Sequence, residues 1–143
     1  MSLEAEAGRW YVIKIGGELV APGRLAGLAE AIRAFREAGV KVAIVHGGGP
    51  QATELTRRLG LEPRKIAGRR VTDEQVLQVM KQALAGEVSV DLAAQLRAEG
   101  VRVLALHGVS GGLIDGVKRP PRLIAGGPPE PVDLGYVGDV VRV

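Results

Sequence analysis

A lysine, two glycine turns and an arginine carry the chemistry that this 143-residue sequence can be expected to do. Lys14 stands two residues before Gly16-Gly17, and Val45-His46-Gly47-Gly48-Gly49-Pro50-Gln51 follows one apolar run and precedes a helix-like stretch. Glycines lack the Cβ that would keep an anion away from backbone N–H groups, and they reach φ values closed to other residues. A helix that starts at such a turn adds the positive end of its dipole. Two strand-to-glycine-turn units in one short chain therefore suggest a site for transferable phosphate.

Each of these residues also has a plainer reading. Lys14 interrupts an apolar strand, where an inward or edge-facing ammonium without an anionic partner would be costly; a structural role is the alternative to reaching phosphate. Arg70 precedes Asp73-Glu74, so it either pairs with those acids or clamps a substrate carboxylate through its fork of donors. His46 and His107 read as satisfied strand-end histidines before they read as bases. Gly47 to Ala52 fits G-x-G-x-x-A, but a dinucleotide site also needs an acid that ends the next strand about 20 residues on, and neither Glu62 nor Asp73 ends a strand. No G-x-x-x-x-G-K-[ST] occurs, and a simple tight turn stays open for the triple glycine.

Composition narrows the class. There are no cysteines and only two histidines, so disulfides and thiolate metal sites are excluded and a typical zinc site is not expected. No metal is anticipated beyond Mg²⁺ arriving with a nucleotide. The formal charge of +3 is mild, and one tryptophan, two tyrosines and one phenylalanine give little to stack bases on, so no nucleic acid partner is expected. The basic clusters Arg64, Lys65, Arg69, Arg70 and Arg119, Arg122 read as solvated loop charges or as an anion site. Without an apolar signal core or a long apolar run, a soluble cytoplasmic protein with no membrane contact is expected.

The elements that must position these residues alternate. Trp10 to Ile15 reads as a strand ended by glycine. Pro22 opens a helix with Leu25, Leu28, Ala29, Ile32 and Phe35 at helical spacing, stopped by Gly39. Val40 to Val45 is a second strand, and Pro50 to Leu59 a second helix before Gly60. Leu61 to Arg70 is too basic and broken for core and predicts a hairpin or loop. Thr72 with Gln75 makes a capping box for a long helix whose apolar face runs from Val76 to Leu96, with a possible kink at Gly86. Val101 to Leu106 gives a third buried strand, and short strand-like pieces follow around Leu113 to Val117, Leu123 to Ala125 and Val140 to Val143. The order implies an α/β fold, with a mainly parallel open sheet covered by helices on both faces and peripheral β-hairpins. Residues 1–9 are expected to be a flexible N-terminus and 10–143 one lobe.

Taken together, Ile13-Lys14-Ile15-Gly16-Gly17, Val45 to Gln51, Gly68-Arg69-Arg70-Val71-Thr72-Asp73 and Asp133-Leu134-Gly135-Tyr136-Val137-Gly138 resemble the ordered motifs of the amino acid kinase family. The resemblance runs from Tyr11 onward. It implies ATP-dependent phosphorylation of the side-chain carboxylate of N-acetyl-L-glutamate, giving an acyl phosphate in arginine biosynthesis. Carried over by position, Lys14 would be catalytic, neutralising the phosphoryl group in flight. Gly16, Gly17 and Gly47 would lie beside phosphate, Gly48 and Gly49 would serve substrate through backbone N–H groups, and Arg70 would bind a substrate carboxylate. The family implies ATP with Mg²⁺, an acylamino acid partner and a homo-oligomer of the full-length protein. Its members are about twice as long and carry the nucleotide pocket in their other half, so this chain resembles the substrate-binding lobe, expected to be nearly inactive alone. Departures at Gly86 to Val90 and Ala105 to Gly111 leave open a related substrate such as an aminoadipate derivative. A non-catalytic acylamino-acid-binding module is the reading from another class.

Overall fold

The computed structural model describes residues 6–20 and 23–143, so the expected helix start at Pro22 lies outside the described residues. These residues divide into two compact units, one drawn from 1–51 and 86–105, the other from 52–85 and 106–143.

The first unit is built on a parallel strand pair, β1 (Trp10–Ile15) and β2 (Lys41–His46), in register from Trp10 opposite Lys41 to Ile15 opposite His46. Period-two alternation sends Ile13 and Ile15 of β1, with Val42 and Ile44 of β2, toward the core. Helix α1 (Ala26–Glu37) presents Ala29 and Ile32 to that core, and helix α4 (Ser89–Ala98) adds Leu92 and Leu96. Gly39 stops α1 in the left-handed region at φ 74°, while the Val40 N–H bonds back to Phe35 O, closing the helix as its sequence position implies. Residues 6–9 of the stretch expected to be flexible are tied to this unit. Gly8 N–H donates to Gly39 O, and the buried Glu6 carboxylate accepts from Arg9 and from the Tyr11 hydroxyl. That carboxylate raises the Arg9 pKa, chiefly through its hydrogen bond, and raises that of Tyr11 in the same way.

Two expectations for the sheet need correction. The face of β1 opposite the core is not covered, since Trp10 and Val12 are 65% and 68% exposed and the Lys41 ammonium lies 5.8 Å over the Trp10 ring. The predicted third strand, Val101 to Leu106, joins no ladder among the described residues. Val101 is buried and Val103 packs on the core, but Leu104 is 81% exposed. A doubly buried strand needs apolar neighbours on both faces, and this run has them on one. The only parallel pairing between named strands among the described residues is β1 with β2; the other two sheets are antiparallel hairpins.

Helix α2 (Gly49–Arg58) begins in the first unit and continues into the second. The basic stretch forms the hairpin β3 (Lys65–Ile66) and β4 (Arg69–Arg70), whose two-residue turn has φ 45° at Ala67 and 77° at Gly68. Positive φ at both turn positions suits the right-handed twist of the flanking strands. The next helix, α3 (Glu74–Met80), is capped by Asp73, whose carboxylate accepts from Val76 N–H at 2.9 Å. Thr72, the cap expected from the sequence, is used differently: its N–H donates to Leu134 O and its carbonyl accepts from Tyr136 N–H. After Met80 the run stays helical but widens into a π-helical segment, Lys81–Val88, before α4. Ala83 and Val88 of this segment are both buried, each in its own unit. Gly86, the expected kink, lies inside this segment.

Strands β5 (Asp115–Lys118) and β6 (Gly138–Arg142) form the last hairpin, and the piece expected near Leu123 is reduced to a single bridge between Arg122 and Val132. Arg119 donates from Nε to both carboxylate oxygens of Asp139 at 2.9 and 3.1 Å, which holds the Asp139 pKa below its ordinary value. No helix among the described residues is long and apolar enough to cross a membrane.

Candidate functional site

In the first unit the two glycine turns lock together. Gly47 N–H donates to Ile15 O at 2.9 Å, extending the β1–β2 ladder by one bond into the turn. A methyl group at Gly17 would fall 2.8 Å from Gly48 Cα and 2.7 Å from Gln51 Oε1, so the turns approach as closely as two backbones without side chains allow. Gln51 fastens the approach by donating from Nε2 to Gly17 O at 2.7 Å. Its other amide atom, Oε1, is buried without a partner among the described residues. Gly17 and Gly48 are buried, whereas a Cβ built at Gly16 or Gly49 meets nothing within 4 Å. Four of the five glycines thus divide between two jobs: Gly17 and Gly47 permit close packing of one turn on the other, and Gly16 and Gly49 leave backbone open to an approaching group.

The N–H groups of Gly48 and Gly49 find no acceptor among the described residues, and they stand at the start of ten-residue α2. Helix N-terminal N–H groups with the local dipole favour an anion here. Lys14 lies at the carboxyl end of β1 opposite Val45, on the exposed face, with no salt-bridge partner among the described residues. Desolvation therefore does not force an anionic partner on it, as the sequence had suggested; its ammonium stands in water, free to meet a mobile anion. His46 is half-buried and its Nδ1 lies 3.2 Å from Gly47 O, a strand-end histidine satisfied by its own turn. His107 is exposed, with Nδ1 3.0 Å from Ser110 Oγ.

In the second unit Arg70 does not pair with Asp73 or Glu74. Its Nη2 donates to Thr53 Oγ1 at 2.7 Å, and Nη1 is buried with no partner among the described residues. A guanidinium keeps its charge at any physiological pH, and a buried donor left unpaired costs roughly 1–3 kcal/mol, more when charged. A carboxylate is the group that best satisfies such a fork. Arg64, Lys65 and Arg69 of the same stretch are exposed. Among the described residues no group of three or more His, Cys, Asp and Glu side chains gathers to hold a metal.

The second unit also joins two of the sequence motifs. Thr72 bridges Gly135 as a parallel pair, and Gly135, at φ 80°, has no room for a Cβ, which would lie 2.1 Å from Thr72 O. Asp133 Oδ1 accepts from Gly135 N–H at 2.7 Å, and that bond, with help from Lys118, lowers the Asp133 pKa. The stretch Asp133 to Gly138 is thereby a brace for the segment that carries Arg70. The sequence singled out the glycines, Lys14 and Arg70 as candidates, and it did not single out Thr53 or the clamp made by Gln51. Gln51 was legible as the residue closing the triple-glycine run; nothing in the sequence singled out Thr53.

Comparison with known proteins gives the family of the chain. The family model described as "Amino acid kinase family" matches residues 9–143. The chain is 55% identical over 130 residues to acetylglutamate kinase of Anaeromyxobacter dehalogenans, covering 91% of this chain and 48% of that protein. It is 52% identical over 132 residues to acetylglutamate kinase of Sorangium cellulosum, covering 92% and 46%. The chain thus spans about half the length of the curated relatives it matches. Among solved structures, N-acetylglutamate synthase from Neisseria gonorrhoeae, complexed with coenzyme A and N-acetyl-glutamate, superposes with a TM-score of 0.69 at 28% identity, over 98% of this chain and 30% of that one. Matched by this family model over residues 9–143, the chain belongs to the amino acid kinase family.

Proposed function

We propose that this chain supplies the substrate-binding half of an acetylglutamate kinase, which transfers a phosphoryl group from ATP to the side-chain carboxylate of N-acetyl-L-glutamate and forms an acyl phosphate in arginine biosynthesis. The observation that carries the reading is Arg70 with its buried, unpartnered Nη1, in a chain 55% identical to acetylglutamate kinases. A carboxylate gripped by a guanidinium loses nucleophilicity, so Arg70 is suited to the substrate carboxylate that does not react. The reacting carboxylate is ionised at neutral pH and needs no general base, which agrees with two histidines occupied elsewhere.

Catalysis then consists of alignment and charge neutralisation. ATP, with Mg²⁺, supplies the activated phosphoryl group. Lys14 offsets the charge on that group in transit, Gly48 and Gly49 offer N–H groups to the oxygens around it, and Gly16, Gly17 and Gly47 form the turns beside the phosphates. We place the nucleotide pocket mostly outside this chain, the β1–β2 pair within a wider, mainly parallel sheet, and the whole protein in the cytoplasm as a homo-oligomer.

A second reading, an acylamino-acid-binding module without ATP chemistry, is favoured by one observation. The N-acetylglutamate synthase whose structure contains N-acetyl-glutamate matches 98% of this chain. Lys14 separates the two. In a protein joining this chain to the carboxyl-terminal half of the Anaeromyxobacter relative, Lys14→Met should lower acyl phosphate formation, trapped as hydroxamate, by about 10²–10³-fold while leaving N-acetyl-L-glutamate affinity within about threefold. Equal rates in the two proteins would exclude the role given to Lys14.

A further inference from the structure

A long arginine side chain loses much rotamer freedom when it is held for a ligand, and the proposed role of Arg70 needs its guanidinium held before substrate arrives. Helix α2 contains two threonines, and they behave differently. Thr56 is fully buried and donates to Ala52 O at 2.6 Å, the back-bond to the preceding turn that helical threonines commonly make. Thr53 makes no such bond among the described residues; its hydroxyl oxygen accepts from Arg70 Nη2 at 2.7 Å. With Nη2 held by a side chain on a helix and Cα of Arg70 held by the β3–β4 register opposite Lys65, the side chain is anchored at both ends. Of the other two guanidinium nitrogens, Nη1 is buried without a partner among the described residues.

We infer that Thr53 is a positioning residue whose hydroxyl fixes the Arg70 guanidinium so that Nη1 is presented to the non-reacting carboxylate of an acylamino acid, an inference that rests on the role given to Arg70 above. The hydroxyl is suited to this because it accepts from the cation without neutralising it, as an aspartate would, and so leaves the full positive charge for the ligand. It also leaves one donor edge committed and one open, which orients a carboxylate rather than merely attracting it.

The test is calorimetric titration of the full chain with N-acetyl-L-glutamate and with N-acetyl-L-isoglutamine, in which the α-carboxylate is an amide. Thr53→Val should weaken binding of N-acetyl-L-glutamate by about tenfold, and Thr53→Ser should restore it to within about threefold. The amide analogue should bind wild type and Thr53→Val alike, and Thr53→Val added to Arg70→Ala should cost nothing further. Should Thr53→Val fail to fold by circular dichroism, Thr53→Ala reads the same loss. Loss of binding in Arg70→Ala with wild-type affinity in Thr53→Val overturns the positioning role alone, as does a folded Thr53→Ser that fails to rescue. Unchanged affinity in Arg70→Ala overturns instead the carboxylate-binding role of the arginine.

Discussion

Gly135→Ala should destabilise the second unit by about 4 kcal/mol, among the largest effects a single methyl group can have. Two costs add. At φ 80° the backbone sits where an L-residue is strained by about 1 kcal/mol or more. The new Cβ would also lie 2.1 Å from Thr72 O and 2.7 Å from Thr72 C, and both are backbone atoms that cannot swing aside. Relief requires parting the two bridged segments, which removes the bonds from Thr72 N–H to Leu134 O and from Tyr136 N–H to Thr72 O. Urea unfolding of the variant should show the loss as a lower midpoint at unchanged slope. Gly68 is a useful control, because it shares the left-handed conformation at φ 77° while its Cβ would meet nothing within 4 Å, so it reads the backbone cost without the clash. A variant at Gly135 as stable as wild type would mean that the brace between the two motifs is not formed.

Gly17→Ala is the second large effect, and it bears on the packing of the two glycine turns. Its cost is packing rather than backbone strain, since the conformation is open to other residues and the obstacle is Gly48, with Cα at 2.8 Å and N at 3.0 Å from the added methyl. Gln51 Oε1, at 2.7 Å, ends a flexible side chain and can move, but moving it endangers the bond from Gln51 Nε2 to Gly17 O. We expect a loss of about 2–3 kcal/mol in unfolding experiments. Gly16→Ala, one residue earlier, meets nothing within 4 Å and should change stability by less than about 1 kcal/mol. The pair separates the two kinds of glycine, one kept for packing and one kept for access. Equal losses at both positions would contradict that division.

How much of this was legible in the sequence follows from where the information is local. Strand β1, the two following helices and the glycines that stop them could be read because alternation, helical spacing and positive-φ stops are properties of short segments. The hairpin at Lys65 to Arg70 was legible from its basic, broken texture. The strand expected at Val101 to Leu106 was not, because apolar content states that a segment packs against something and not whether a ladder partner lies beside it. Thr72 read as a cap by its spacing to Gln75, yet Asp73 stands next to it and its carboxylate reaches the same helix end; Thr72 was claimed by a residue more than sixty positions away. The π-helical segment was visible only as a glycine in a long pattern. At the site, the glycines were recognisable as a class, but which of them pack and which stay open depends on the approach of one turn to the other. Thr53 carried no sequence signal at all, since a threonine in a helix becomes informative only once an arginine is seen to reach it.

Arg70 is proposed to hold the carboxylate of an acylamino acid bound to this chain. Calorimetric titration of the chain with N-acetyl-L-glutamate, beside Arg70→Ala and beside Mg-ATP, tests it most directly. The account predicts binding of N-acetyl-L-glutamate by the wild-type chain, a loss of about 30-fold or more in Arg70→Ala, and little or no heat with Mg-ATP. No binding of the acylated amino acid, or the same affinity with and without the Arg70 guanidinium, would contradict it.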